Sequence, residues 1–465
     1  MESRPGLLRV LGPGMAIAIV VGNVIGSGIY AKPGRIAADA GDVRLVLVAW
    51  VGGGIICLFG ALCFAELAVM MPRAGGMYVY LREAYGRPVA FLFGWSDFLF
   101  GRPASIGALA SMFIASLARA SGWQLGLWPQ VALAATLIGL MAWVNVMGVI
   151  WGGRMQGATT LVKAGFLAAV AALPFVMHLL GKATISAANF STTVEPLQPT
   201  LAAQFAVVLL AVMWAYNGWH DVTPVAEEVR NPQRNVPLAL LAGIGLLIVL
   251  YVSANVAYHA VLPMDAMKQS GDHAAEAMVS VLAGPIGGTV MSVGIMLSTF
   301  GAINSNMLLG PRVTFAMGRD DVFLRFLGRV HVNYRTPAIA IVVQAMMSIS
   351  LFVASAFLVN WSASLRETSV FDLLTNYVTF SASLFYLLAV AAVFVLRAKH
   401  PEWERPYRTI GYPLVPAGYI AFYLWFLYYV YAGQPLEART GLALIAAGIP
   451  VYYIYRAWAK RNPQT

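Results

Sequence analysis

The sequence predicts an all-α membrane protein with twelve transmembrane helices, and two observations carry that expectation. Only 11% of its 465 residues are charged and 60% are hydrophobic, whereas soluble domains hold about 25% charged and about 45–50% apolar residues. A chain this poor in charge cannot cover a water-facing surface with polar groups, so the bilayer is the solvent that suits it. The apolar residues also fall in runs of the roughly 20 residues that a spanning helix needs, without the period-two alternation of a membrane β-barrel.

The runs cover 12–38, 44–70, 89–118, 128–149, 155–178, 201–229, 237–262, 280–316, 337–358, 368–396, 412–432 and 437–457. The stretch Met1–Gly14 lacks a small-residue cleavage site after a short apolar core, so the first run reads as a retained span and not as a signal peptide. With the N-terminus placed in the cytoplasm, twenty Lys and Arg fall in inside segments, from Arg4 and Arg9 through the 312–335 loop to Lys460 and Arg461. Eight fall outside, among them Lys32, Arg44, Lys182 and Arg366. This asymmetry puts both termini in the cytoplasm. The net charge of +10 is therefore a topology signal and not a nucleic-acid footprint.

Three spans depart from a plain apolar run. The first contains GNVIGSG at 22–28, the sixth contains YNGWHD at 216–221, and the eighth carries Ser305 and Asn306 and runs into the basic 312–335 loop. The first and sixth are five spans apart. That placement fits two inverted five-helix repeats, each opening on an interrupted helix, with the last two spans added.

Glycine costs about 1 kcal/mol relative to alanine inside a helix, so Gly26 and Gly28 favour local unwinding. Unwound backbone at membrane depth is tolerated only where it lines a cavity or is buried in protein. The freed amides would begin the next half-helix and present a positive dipole end to a carboxylate. A close helix crossing through small residues is the other reading of the same run. The sixth span tips the balance. Asn217, Gly218, His220 and Asp221 followed by Pro224 interrupt it, and its freed carbonyls would suit an ammonium group. Two such breaks indicate a midplane site for a zwitterion, with Trp214 as an aromatic cap or, alternatively, as packing between spans.

Lys163 lies in the middle of an apolar run, where a lysine costs about 2.5–3.5 kcal/mol to insert. It reads as a fixed cation that replaces a coupling sodium ion beside the first break, as a proton carrier, or as a structural contact. Asp97 and Arg102 are expected to pair structurally or, alternatively, to bind partners on other spans, and Glu66 to anchor the 73–85 loop. Glu227 and Glu228 with Arg230 and Arg234 form either a cytoplasmic gate or a solvated face. His220 sits within the candidate site, where its titration would make transport pH-sensitive. Cys57 and Cys63 lie six residues apart in one span, on different sides of a helix, and are not expected to form a disulfide. No phosphate-binding loop, Ser/His/Asp arrangement or metal-ligand spacing is present, so no cofactor is expected and energy is drawn from gradients or exchange. An intramembrane enzyme would want paired carboxylates or an HxxxH pair, which the sequence lacks.

Taken in order, GNVIGSGI (22–29), GALCFAEL (60–67), PRAGGMYVY (72–80), Arg102-Pro103, WAYNGW (214–219), EEVRNPQRNVP (227–237) and PEWERP (401–406) resemble the amino acid–polyamine–organocation superfamily, most closely its L-type amino acid transporter branch. The motifs span nearly the whole chain. The resemblance implies a LeuT-type fold: a 5+5 inverted repeat over 12–178 and 201–396, broken helices 1 and 6, and two extra C-terminal helices over 412–457. It also implies sodium-independent exchange of neutral L-amino acids across the cell inner membrane. Proton-coupled symport of amino acids or polyamines through Lys163 is the alternative, and a transport-like amino acid receptor the alternative of another class.

By the same resemblance the substrate carboxylate meets the backbone amides of Ile25, Gly26, Ser27, Gly28 and Ile29. Its amino group meets carbonyls near Val24, Trp214, Ala215 and Tyr216, while Asn217, Gly218 and Trp219 complete the second break. Trp214 falls at the aromatic gate, Lys163 at the place of a sodium ion, and Ser381 of the tenth span faces the site. Some relatives carry an aspartate for basic substrates at the position of Asn217, so asparagine favours neutral ones. Eukaryotic members are tethered to a heavy chain through a cysteine after the third span. The 119–128 loop has none, so no disulfide-linked partner is expected.

Overall fold

Long apolar runs give long helices, and polar or glycine-rich interruptions decide where they stop. The computed structural model describes residues 9–195, 200–361, 370–433 and 435–461; Arg4, Arg366 and the first residues of the 368–396 run lie outside them. The first run is two helices, α1 (Pro13–Val24) and α2 (Gly28–Ala40), bent by 41° at the Ile25–Ser27 break. Then come α3 (Val43–Met70), the short α4 (Met77–Tyr85), α5 (Arg87–Ser96) and α6 (Arg102–Ser121), with a π-helical turn over Asp97–Gly101 joining the last two. Helices α7 (Leu127–Val146) and α8 (Val149–Leu179) complete the first half.

The sixth run differs from one long span. Helix α9 (Leu201–Ala215) has 15 residues, about 22 Å of helix against the roughly 30 Å of a hydrocarbon core. Turns follow it to a 3₁₀ segment at Thr223–Glu228. The physical reason is the polar cluster of Asn217, His220 and Asp221 and the missing amide of Pro224. Beyond lie α10 (Pro232–Val261), α11 (Met264–Ser270), α12 (Ala274–Leu309), α13 (Pro311–Arg319), α14 (Ala338–Trp361), α15 (Val370–Lys399), α16 (Leu414–Gly433), α17 (Pro435–Ala446) and α18 (Gly448–Arg461). The expected 280–316 run is not continuous: α12 is kinked at Gly284 (φ 66°), just before Pro285. Among the described residues, ten helices or helix groups are long and apolar enough to cross a membrane, eleven with the bent α1–α2 pair.

Helices α1 and α3 pack on α10, and α9 packs on α3, as one connected group; α6, α7, α12 and α14 pack on one another as a second; α8 touches both, and α12 also meets α1. Glu66 does not anchor the 73–85 loop. Its carboxylate accepts from Arg397 (2.9 and 2.7 Å) and from the Thr409 amide (2.6 Å), which ties α3 to the end of α15 and the segment after it. A buried carboxylate needs a cation and donors close by, and Arg397 supplies both. The loop is held instead at Ala74, whose amide donates to Glu227 (3.0 Å). Cys57 and Cys63 are buried free thiols.

Candidate functional site

Where α1 stops, its last carbonyls need other donors, and neighbouring helices supply them. Ser298 of α12 has its hydroxyl 3.2 Å from the Ile25 carbonyl and 3.0 Å from that of Gly26. Tyr258 donates to Ile29 (3.2 Å). The Tyr251 hydroxyl lies between the Val24 carbonyl (2.9 Å) and that of Ala215 (3.1 Å), so one side chain of α10 touches both breaks. The breaks also meet directly: a Cβ on Gly28 would stand 2.6 Å from the Cα of Ala215, so only glycine allows the approach. The amides of Gly26 and Ser27 have no hydrogen-bond partner among the described residues, and the buried Ser27 hydroxyl has none. Buried donors left over in this way are what a carboxylate-binding site requires.

These groups face an interior cavity of about 80 Å³. One ordered water takes about 10–15 Å³ on this measure, so the space holds roughly five to eight water-sized groups, the scale of a small amino acid. Val24, Gly26, Ser27 and Gly28 line it from the first break, Trp214, Ala215, Asn217 and Gly218 from the second, and Ser381 from α15. Ile25, Ile29, Tyr216 and Trp219 do not. Their side chains are fully buried away from it, Tyr216 donating to the Trp50 carbonyl (3.2 Å) and Trp219 packing edge-on against Phe64 (4.9 Å between ring centres). In an unwound segment neighbouring residues point in different directions, so a run of consecutive candidates cannot all face one space.

Lys163 is buried outside the cavity wall. Its Nζ donates to the Ser298 carbonyl (3.2 Å), and the same serine's hydroxyl serves the carbonyls of the first break. A buried lysine therefore stands one residue removed from the break. Trp214 packs edge-on against Phe371 (6.2 Å between centres), and Lys32 of α2 lies 4.6 Å from that same ring. Lys32, counted with the outside segments, is buried and donates to Thr375 (3.2 Å).

The sequence reading missed the polar floor of the cavity. Asp97 and Arg102 do pair (3.3 Å), but the main partner of Arg102 is Asp221, bound through both terminal nitrogens at 2.8 and 2.5 Å. Asn306 accepts from the same guanidinium (3.1 Å), and Asn23 donates to Asp221 (2.5 Å). Gly218 has φ +91°, and a Cβ there would lie 2.1 Å from the Asn23 amide nitrogen, so glycine leaves room for that bond. Tyr386 donates to Asn217 (2.8 Å) and fixes its amide. The π-helical turn at 97–101 sits beside the cavity, where such bulges often occur, and nothing in the sequence marks it. Glu228, left open between gate and solvated face, is buried against Arg312 (3.1 Å), while Glu227 meets the half-exposed Arg319 (3.3 Å).

Many apolar helices of membrane length around a polar cavity framed by helix breaks define a multi-pass membrane protein with a site in its interior. The amino acid permease family matches residues 11–454. The chain is 32% identical over 450 residues to the serine/threonine exchanger SteT of Bacillus subtilis, covering 96% of this chain and 97% of that one. It is 30% identical over 470 residues to the human large neutral amino acids transporter small subunit 2, covering 97% of this chain and 81% of the relative. The Asc-type amino acid transporter 1 of Mus musculus is 30% identical over 474 residues, covering 99% and 83%. The chain belongs to the amino acid permease family, within the amino acid–polyamine–organocation superfamily, and its substrates are amino acids.

Proposed function

We propose that this chain exchanges small neutral L-amino acids across the cell inner membrane, independently of sodium, by alternating access to the cavity between its two helix breaks. The observation that carries the reading is the pairing of donors left over at the first break, the Gly26 and Ser27 amides and the Ser27 hydroxyl, with a cavity of about 80 Å³. The carboxylate binds there, the amino group meets carbonyls of the second break near Trp214 and Ala215, and Trp214 caps the bound molecule. Asn217, neutral and held by Tyr386, supports a neutral substrate. A serine/threonine exchanger among the relatives supports a small side chain.

Sodium independence rests on Lys163. The Ile25 and Gly26 carbonyls are engaged by Ser298, and the ammonium on the far side of that serine supplies a fixed positive charge where a coupling cation would otherwise bind. Counting α1–α2 as one span and α9 with 216–228 as another gives twelve spans. They form two inverted five-helix groups, 12–178 and 201–396, plus 412–457, with both termini in the cytoplasm and no disulfide-linked partner.

The test is counterflow in liposomes. Protein loaded inside with unlabelled serine is expected to take up labelled small neutral amino acids with or without sodium, and to stop when internal amino acid is removed. Uptake that ignores internal substrate and collapses without a pH gradient would establish proton symport instead. For Lys163→Ala the expected outcome is loss of exchange at neutral pH; unchanged exchange would reduce Lys163 to a structural contact.

A further inference from the structure

Asp221 joins elements that belong to different packed groups. It sits in the turn after α9, in the group of α1, α3, α9 and α10, and takes Asn23 from α1 of that same group. Its other partner, Arg102, begins α6, and Asn306 beside that arginine is on α12, both in the opposite group. Both carboxylate oxygens are engaged: Oδ1 by Arg102 and, at 3.4 Å, by His220, and Oδ2 by Arg102 and Asn23. Arg102 is equally occupied, with its Nε on Asp97. The two charges are bound chiefly to each other, although both line the cavity.

The segment that follows Asp221 makes further ion pairs, now with α13. Seven residues after Asp221, Glu228 meets Arg312, which lies six residues after Asn306; one residue before it, Glu227 meets Arg319. Asp221 is thus the innermost of three rungs that run from the cavity to the face bearing α13.

We propose that the Arg102–Asp221 pair is a latch between the two helix groups, closing the cavity toward the α13 face, and that it parts when the substrate passes there. Asp221 is then a positioning residue, with Asn23 tying the latch to the first break so that both breaks are released together. Only the claim that a substrate must leave on that face rests on the transport reading, and the latch is testable with no substrate present.

The experiment places a reporter in the cavity wall, Ala382→Cys, in a background with Cys57→Ala and Cys63→Ala. Proteoliposomes are treated with a membrane-impermeant thiol reagent from one face at a time. Asp221→Asn is expected to speed labelling from the α13 face by about tenfold, the shift in a two-state equilibrium that loss of a charge-assisted hydrogen bond produces, and to leave the other face unchanged. Arg102→Lys keeps the charge but loses the two-pronged contact, and is expected to fall between parent and Asp221→Asn; it decides the matter if Asp221→Asn does not fold. Labelling at the parent rate in the folded variants, or a rise that is equal from both faces, would overturn the latch.

Discussion

On the α13 side of the cavity, the segment 221–228 sets three carboxylates against Arg102, Arg312 and Arg319, whereas on the Trp214 side the closure is a ring on a ring with Lys32 behind it. The two closures obey different physics. A buried ion pair is held by geometry, and removing one member strands the other in a medium where an unpaired charge is costly. Edge-to-face rings and cation–π contacts are graded, worth about 0.5–1.5 and about 0.5–2 kcal/mol, and tolerate sliding. The three ion pairs therefore behave as discrete locks, whereas the contacts of Phe371 with Trp214 and Lys32 give.

The sharpest way to break that contrast is Arg312→Ala. Arg312 is fully buried, bonded to Glu228 and to the Leu308 carbonyl, and its removal leaves the Glu228 carboxylate buried without a cation. The expected loss is about 3–5 kcal/mol of stability, read as a fall in the unfolding midpoint of the purified protein in detergent. The double variant Arg312→Ala, Glu228→Ala is expected to lose less than the single one, because no charge is left stranded. A double variant as unstable as the single would show that packing, not charge, sets the cost.

On the other side the change is Phe371→Ala. It removes the edge contact to Trp214, which lines the cavity, and the ring beside Lys32, which does not. The expected outcome is a KM for exchange raised about three- to tenfold with little change in the unfolding midpoint, from contacts worth about 1 kcal/mol each. A loss of stability comparable to that of Arg312→Ala would mean that the two closures are not different in kind.

How much of this the sequence reveals follows the same division. Spans and breaks are local properties: twenty apolar residues make a helix, and Gly26, Gly28 and the polar cluster 217–221 interrupt one, so both breaks were readable directly. Ion pairs are not local. Arg102 and Asp221 stand 119 residues apart and Asn23 and Asp221 198 apart, and nothing in a single chain says which buried carboxylate will find which cation. Nearness in sequence points Arg102 to Asp97, and that a partner on another span is Asp221 is visible only in the fold. Glu66 went to the wrong loop for the same reason, with Arg397 331 residues away. Which members of a broken stretch face inward was equally illegible, since Tyr216 and Trp219 turn away while Asn217 and Gly218 turn in, and no helical period orders them.

The smallest expected effect separates burial from charge as the source of the locking. Glu227 and Arg319 are paired like Glu228 and Arg312 and lie on the same two segments, yet Arg319 keeps 49% of its side-chain surface exposed and Glu227 keeps 24%. Water screens such a pair, and exposed pairs contribute about 0–1 kcal/mol. Glu227 also accepts from the Ala74 amide, and glutamine retains a carbonyl oxygen for that bond. Glu227→Gln is therefore expected to shift the unfolding midpoint by a small fraction of what Arg312→Ala does, and the residual shift should vanish in high salt, which the buried pair would resist. If Glu227→Gln costs as much as Arg312→Ala, the rungs act as one cooperative network, and the outermost pair closes the cavity as firmly as the innermost.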